Sequence, residues 1–199
     1  DQGHAVLVPD LRGHGDSARF GDRKIDATRL RREDLKVMGW WDLLSLRSFL
    51  VRKNHEEKLN LSKLCIVGAE MGATLAVVYA LNDWTYPRLV EAGPGGGRRQ
   101  SPFRDVKGLV LISPEWEFKG LSLGELLRSP VFTPRGGISG ISMAIIAGDE
   151  DPKAAAAADR VHRLVKGYHV DPEKLAPDQR GQIDLFFIRP ATKLQGTKM

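Results

Sequence analysis

Apolar residues fall into five short, nearly unbroken runs along this chain: AVLVP at 5–9, LCIV at 64–67, GLVLI at 108–112, MAIIA at 143–147 and IDLFFI at 183–188. Runs of this length, rich in β-branched residues and closed by Gly, Pro or Asp, predict strands buried on both faces. Between them the spacing changes. Over 31–53, Val37, Trp41, Leu44, Leu46, Phe49 and Leu50 recur at helical intervals. Glu33 and Asp34 stand near the start of that stretch and Arg52 and Lys53 near its end, as a helix dipole favours. Further helices are expected over 71–81, 121–127 and 154–166. Strands alternating with helices predict one α/β domain over 1–199, a mostly parallel sheet with helices on both faces. Ligands of such sheets bind at the carboxyl ends of the strands. The loops of interest therefore begin at Asp10, Gly68, Ser113, Gly148 and Arg189.

The segment 92–105, AGPGGGRRQSPFRD, has no periodicity and predicts a flexible Gly/Arg surface loop. The stretch 113–142 is irregular apart from its short helix and is expected to form a small cap-like region. No internal repeat is present.

Composition narrows the function classes. Of 199 residues, 42% are hydrophobic and 28% charged, so a packed core is expected. The net charge of +5 is dispersed along the chain with no basic stripe interleaved with aromatics, which argues against nucleic-acid binding. No apolar run reaches the ~18 residues of a membrane span. The one cysteine, Cys65, rules out an intrachain disulfide framework and a cysteine zinc cluster; a cytoplasmic setting is the expectation. Asp149, Glu150 and Asp151 do not have the alternate spacing of a calcium loop, so no metal is expected. The turn Gly68-Ala69-Glu70-Met71-Gly72 lacks the middle glycine of a dinucleotide fingerprint and carries a carboxylate that would repel phosphate. No cofactor is expected.

Three motifs in order then carry a likeness. The segment from Gly3 to Ser17 runs from a strand into the loop D-L-R-G-H-G-D-S, the Gly68 turn frames Glu70 with G-x-x-x-G, and 145–152 reads IIAGDEDP. Together they resemble the α/β-hydrolase fold, including its esterase, lipase and serine-aminopeptidase members. The resemblance implies that Gly68, Met71 and Gly72 build a nucleophile elbow and oxyanion site. Glu70 then stands at the nucleophile position and Asp151 at the acid position, with Asp149 as the lesser candidate. The competing role for Asp151 is the N-cap of the following helix. The resemblance further implies that the third strand of the family sheet and its last helix lie outside 1–199. Together with an opening on Asp1 rather than Met, this predicts a partial domain with a non-native N-terminus.

The catalytic histidine of that family should follow the last strand, yet 190–199, PATKLQGTKM, contains none; Lys193 and Leu194 fall near its place. His4, His14, His55, His162 and His169 all lie elsewhere. His14 is a pocket candidate with a competing role in bracing its own loop; Trp116 and Phe118 are pocket candidates whose competing role is core packing. An elbow carboxylate could serve as a nucleophile, but release of its ester needs a base. It could also fold back and occupy the oxyanion amides itself. The expectation is a non-catalytic homologue, a pseudo-hydrolase that binds a small-molecule ligand or a protein partner. The alternative is an active carboxyl-ester or peptidase-like hydrolase with relocated catalytic groups.

Overall fold

The structure, a computed structural model, describes residues 3–91, 98–101 and 103–193. The chain divides into two compact units, Asp1–Leu61 and Ser62–Met199.

In the first unit the D-L-R-G-H-G-D-S loop is folded by its own polar groups. The Asp10 carboxylate accepts the Asp16 amide at 2.9 Å. Gly15, with φ +47°, lies so close to that carboxylate that a Cβ would overlap it, which is why glycine is required there. Arg12 reaches across to Asp42 with two hydrogen bonds of 3.0 and 2.8 Å, and this pairing holds its guanidinium above the usual arginine range. Strands β1 (Arg19–Phe20) and β2 (Arg23–Lys24) form a two-residue hairpin. The strand expected over 5–9 is not formed. The segment is extended but makes no ladder with any described residue, and Val6 and Val8 are 80% and 85% exposed. Without a neighbouring strand, an apolar run has nothing to pair its backbone with.

The helix expected over 31–53 is present as α1 (Arg32–Val37), a π-helical turn at Met38–Asp42 and α2 (Leu43–His55). The wider turn inserts extra residues and rotates the apolar stripe. Leu35, Met38 and Trp40 are buried, whereas Trp41 and Phe49, which helical spacing alone selects, are exposed.

The second unit contains a four-stranded parallel sheet of mixed α/β class. Its strands are β3 (Leu64–Ala69), β6 (Val106–Ile112), β9 (Ser142–Ile146) and β10 (Leu185–Ile188), in the order β10-β9-β6-β3. Helix α3 (Met71–Thr85) follows β3, and α5 (Pro152–Val165) follows β9. The register aligns Ile66 with Leu109, Leu109 with Met143 and Met143 with Leu185, so these residues share one face. Leu109, Leu111, Met143 and Ile145 are buried there. The helices of this unit pack on that face: Gly68 approaches the Gly72 carbonyl of α3, and the His162 ring of α5 stacks on Phe187 at 4.4 Å. The opposite face exposes Cys65, Val67, Phe186 and Ile188. Helices α3 and α5 of this unit thus pack on one face of the sheet.

The 92–105 stretch is only partly a loop. Arg98–Ser101 (β5) pairs antiparallel with Arg88–Glu91 (β4); 92–97 and 102 lie outside the described residues. The 113–142 region holds a hairpin that its irregular sequence conceals. Strands β7 (Glu117–Phe118) and β8 (Leu121–Ser122) are joined by Lys119 and Gly120, both at positive φ. That geometry matches the twist of a tight hairpin. Helix α4 (Leu123–Leu127) follows, capped by Ser122, and buries Leu123 and Leu127 beside Phe132 and Ile141.

Candidate functional site

The parallel strands β3 and β6 end together, and the turns that leave them form one wall of an open cleft of about 320 Å³. Helix α5 forms the facing wall. At the end of β3, Glu70 has φ 52° and ψ −115°, a conformation costly for a residue with a side chain. Its amide continues the sheet by donating to the Ile112 carbonyl at 2.9 Å. Gly68 is required because a Cβ there would overlap the Gly72 carbonyl; Gly72 itself faces open space. Strand, sharp turn and helix are therefore brought together as the G-x-x-x-G frame predicted, with Met71 opening α3.

The Glu70 carboxylate is exposed and makes no cap to α3. The expected fold-back onto the helix amides does not occur. Glu70 instead lines the cleft with Ser113, Glu115, Trp116 and Glu117, which leave the end of β6. Across from them, Lys153, Ala156, Ala157 and Arg160 follow the i, i+3, i+4, i+7 stripe of α5. Gly124 explains the position of Trp116: a Cβ on Gly124 would overlap the indole, so the ring fits tightly against bare backbone. The Arg160 guanidinium lies over that ring, 5.8 Å from its centroid.

Asp151 is buried and caps α5. Its Oδ1 accepts the amides of Lys153 at 3.0 Å and Ala154 at 3.1 Å. Its Oδ2 is buried with no hydrogen-bond partner among the described residues. The capping role is therefore filled, and the oxygen that could orient a base has no donor there. Asp149 is held by Arg189, which also pairs with Asp159 at 2.9 Å. This joins the end of β10 to α5.

Phe118 does not line the cleft. It lies in the β7–β8 hairpin under the Lys119 ammonium, 5.8 Å from the ring centroid. His14 belongs to the first unit, where its exposed ring hydrogen-bonds the Arg12 carbonyl at 3.2 Å. The two histidines of the second unit are committed elsewhere. His162 stacks on Phe187, and burial together with nearby Lys166 pushes its pKa below the usual histidine value. His169 is buried, its Nδ1 3.0 Å from Asp184. Lys193, near the place expected for a base, is exposed, and 194–199 lie outside the described residues, Leu194 among them.

The carboxylates of Glu115 and Glu117 and the cations Lys153 and Arg160 were not read as site residues from sequence. The available signal was the i, i+7 spacing of Lys153 and Arg160 around an alanine run, directly after a strand loop. Among the described residues no three His, Cys, Asp or Glu side chains converge to hold a metal, and no helix is long and apolar enough to cross a membrane. No family model matches this chain, and no curated protein or solved structure matches it significantly.

Proposed function

We propose that this chain is an α/β-hydrolase-like protein that has lost turnover and binds a ligand in the cleft beside Glu70. The observation that carries the reading is the Glu70 turn. A residue held at φ 52° and ψ −115° between a strand and a helix has the posture of an elbow nucleophile, yet the chain puts a glutamate there. Hydrolysis through an elbow requires a base to activate the nucleophile or the water that frees the acyl group. Neither histidine of this unit is available, because one packs on Phe187 and the other on Asp184. Asp151 stands where the resemblance puts the acid, and its buried Oδ2, without a hydrogen-bond partner among the described residues, is compatible with an acid that lacks its histidine.

The direct test is hydrolysis of p-nitrophenyl butyrate by the wild type, Glu70→Gln and Glu70→Ser. The reading predicts that all three match the buffer rate, because restoring serine does not restore a base. Turnover by the wild type that Glu70→Gln abolishes would establish the alternative, an active hydrolase with relocated groups.

A further inference from the structure

The cleft is lined by three acidic and two basic side chains that make no ion pair with one another or with any other described residue. Glu70, Glu115 and Glu117 come from one wall, Lys153 and Arg160 from the other. Exposed opposite charges gain little from pairing in water, so these side chains stay available to a guest. Lys153 and Arg160 are seven residues apart on one helix face, about 10 Å along the axis. Ala156 and Ala157 lie between them and fill little of the space. The guanidinium lies over Trp116, itself fitted against Gly124, and makes no ion pair among the described residues.

We propose that this cleft receives a short free peptide, a zwitterion whose ammonium group meets the glutamates and whose terminal carboxylate meets Arg160 and Lys153. The inference rests on the ligand-binding reading above. A neutral guest would displace water from the half-buried Glu115 and from the exposed Glu70, Glu117, Lys153 and Arg160 without offering them a partner. A guest of one sign would satisfy one wall and oppose the other. Only a guest carrying both charges, spaced along its length, pairs with both walls. Arg160 suits the carboxylate end because a planar guanidinium can donate two parallel hydrogen bonds to it. The cleft volume lies at the lower end of the range for small-molecule sites.

The test is calorimetric titration of the full chain with four probes: Ala-Ala, acetyl-Ala-Ala, Ala-Ala-amide and acetyl-Ala-Ala-amide. Ala-Ala is expected to bind, and blocking either end to weaken it about tenfold, the equivalent of one lost charge-assisted contact. Arg160→Gln should erase the preference for a free carboxylate while keeping that for a free amine; Glu115→Gln should do the reverse. Absence of Ala-Ala binding, or equal binding of all four probes, overturns the inference. Equal binding would leave the ligand-binding reading standing. Turnover of p-nitrophenyl butyrate would remove that reading without altering the peptide titration.

Discussion

Both ends of the parallel sheet use polar side chains to hold the fold, the carboxyl end through Asp151 and Arg189, but they differ in what else those side chains do. At the amino end, polar side chains are turned inward and used. Asp184, just before β10, accepts from the Val170 amide at 2.8 Å and lies 3.0 Å from the buried His169 ring. The Val106 amide at the start of β6 donates to Asp83 at 2.9 Å, and its carbonyl accepts from the Trp84 indole at 2.9 Å. These bonds hold the end of α3 and the loop after α5 to the strands. At the carboxyl end the backbone is equally constrained, with Glu70 and Ser113 both at positive φ, but the cleft's charged side chains form no ion pairs among the described residues. Buried hydrogen bonds stabilise a fold; charges kept apart at a strained turn do not. Under the proposed ligand-binding reading, the cleft charges are the part of the second end left for a guest.

That division can be broken or sharpened by substitution. The largest effect is expected where the carboxyl end is structural in its backbone. Gly68→Ala should cost about 3 kcal/mol in denaturant unfolding because the new Cβ meets the Gly72 carbonyl, which cannot move without bending α3. Gly72→Ala, with open space around it, should be neutral or stabilising by about 0.5 kcal/mol. Equal effects at the two glycines would contradict the close strand–helix approach.

At the amino end, Asp184→Asn should cost about 2 kcal/mol, because the His169 ring and the Val170 amide lose a charged acceptor. Asp151→Ala should cost about 1 kcal/mol through loss of the α5 cap, with Asp151→Asn retaining most of it. If Asp151→Asn proves as damaging as Asp151→Ala, the side chain has a second role at its buried Oδ2.

The smallest effect is a pH slope. The folded pKa of His162 lies below its ordinary value of 6.5, chiefly from burial and then from Lys166. The unfolded chain therefore binds this proton more readily than the folded one. Stability from this site is full above pH 6.5, declines as pH falls below it, and levels off beneath the folded pKa. Thermal unfolding across that range should show a shallower decline for His162→Phe, which keeps an aromatic ring against Phe187.

The four strands of the parallel sheet and their helices were legible because such strands read as near-continuous apolar runs, broken here only by Lys107 in β6 and Ser142 in β9. The same rule overreached at 5–9, since an apolar run specifies a strand only when another strand lies beside it. Local chemistry hid other elements. Lys119 at positive φ is an unusual hairpin residue, so β7 and β8 left only Gly120 as a signal. The π-helical turn at Met38–Asp42 changed which residues of one helix are buried without any marker residue. At the site, the turn was legible because close backbone approach demands glycine at Gly68, although Gly72 faces open space. The gathering of Glu115, Glu117, Lys153 and Arg160 in one cleft was not, because it brings the turn after β6 beside helix α5 through the sheet rather than along the chain.

The division between the two ends is tested most directly by the triple variant Glu70→Gln, Glu115→Gln, Glu117→Gln, followed by denaturant unfolding and Ala-Ala titration together. Binding without a structural role predicts unfolding within about 0.5 kcal/mol of the wild type, or slightly above it, with peptide binding lost. A loss of more than about 1 kcal/mol with no change in binding would show that these carboxylates hold the fold, and the assignment of the cleft would be wrong.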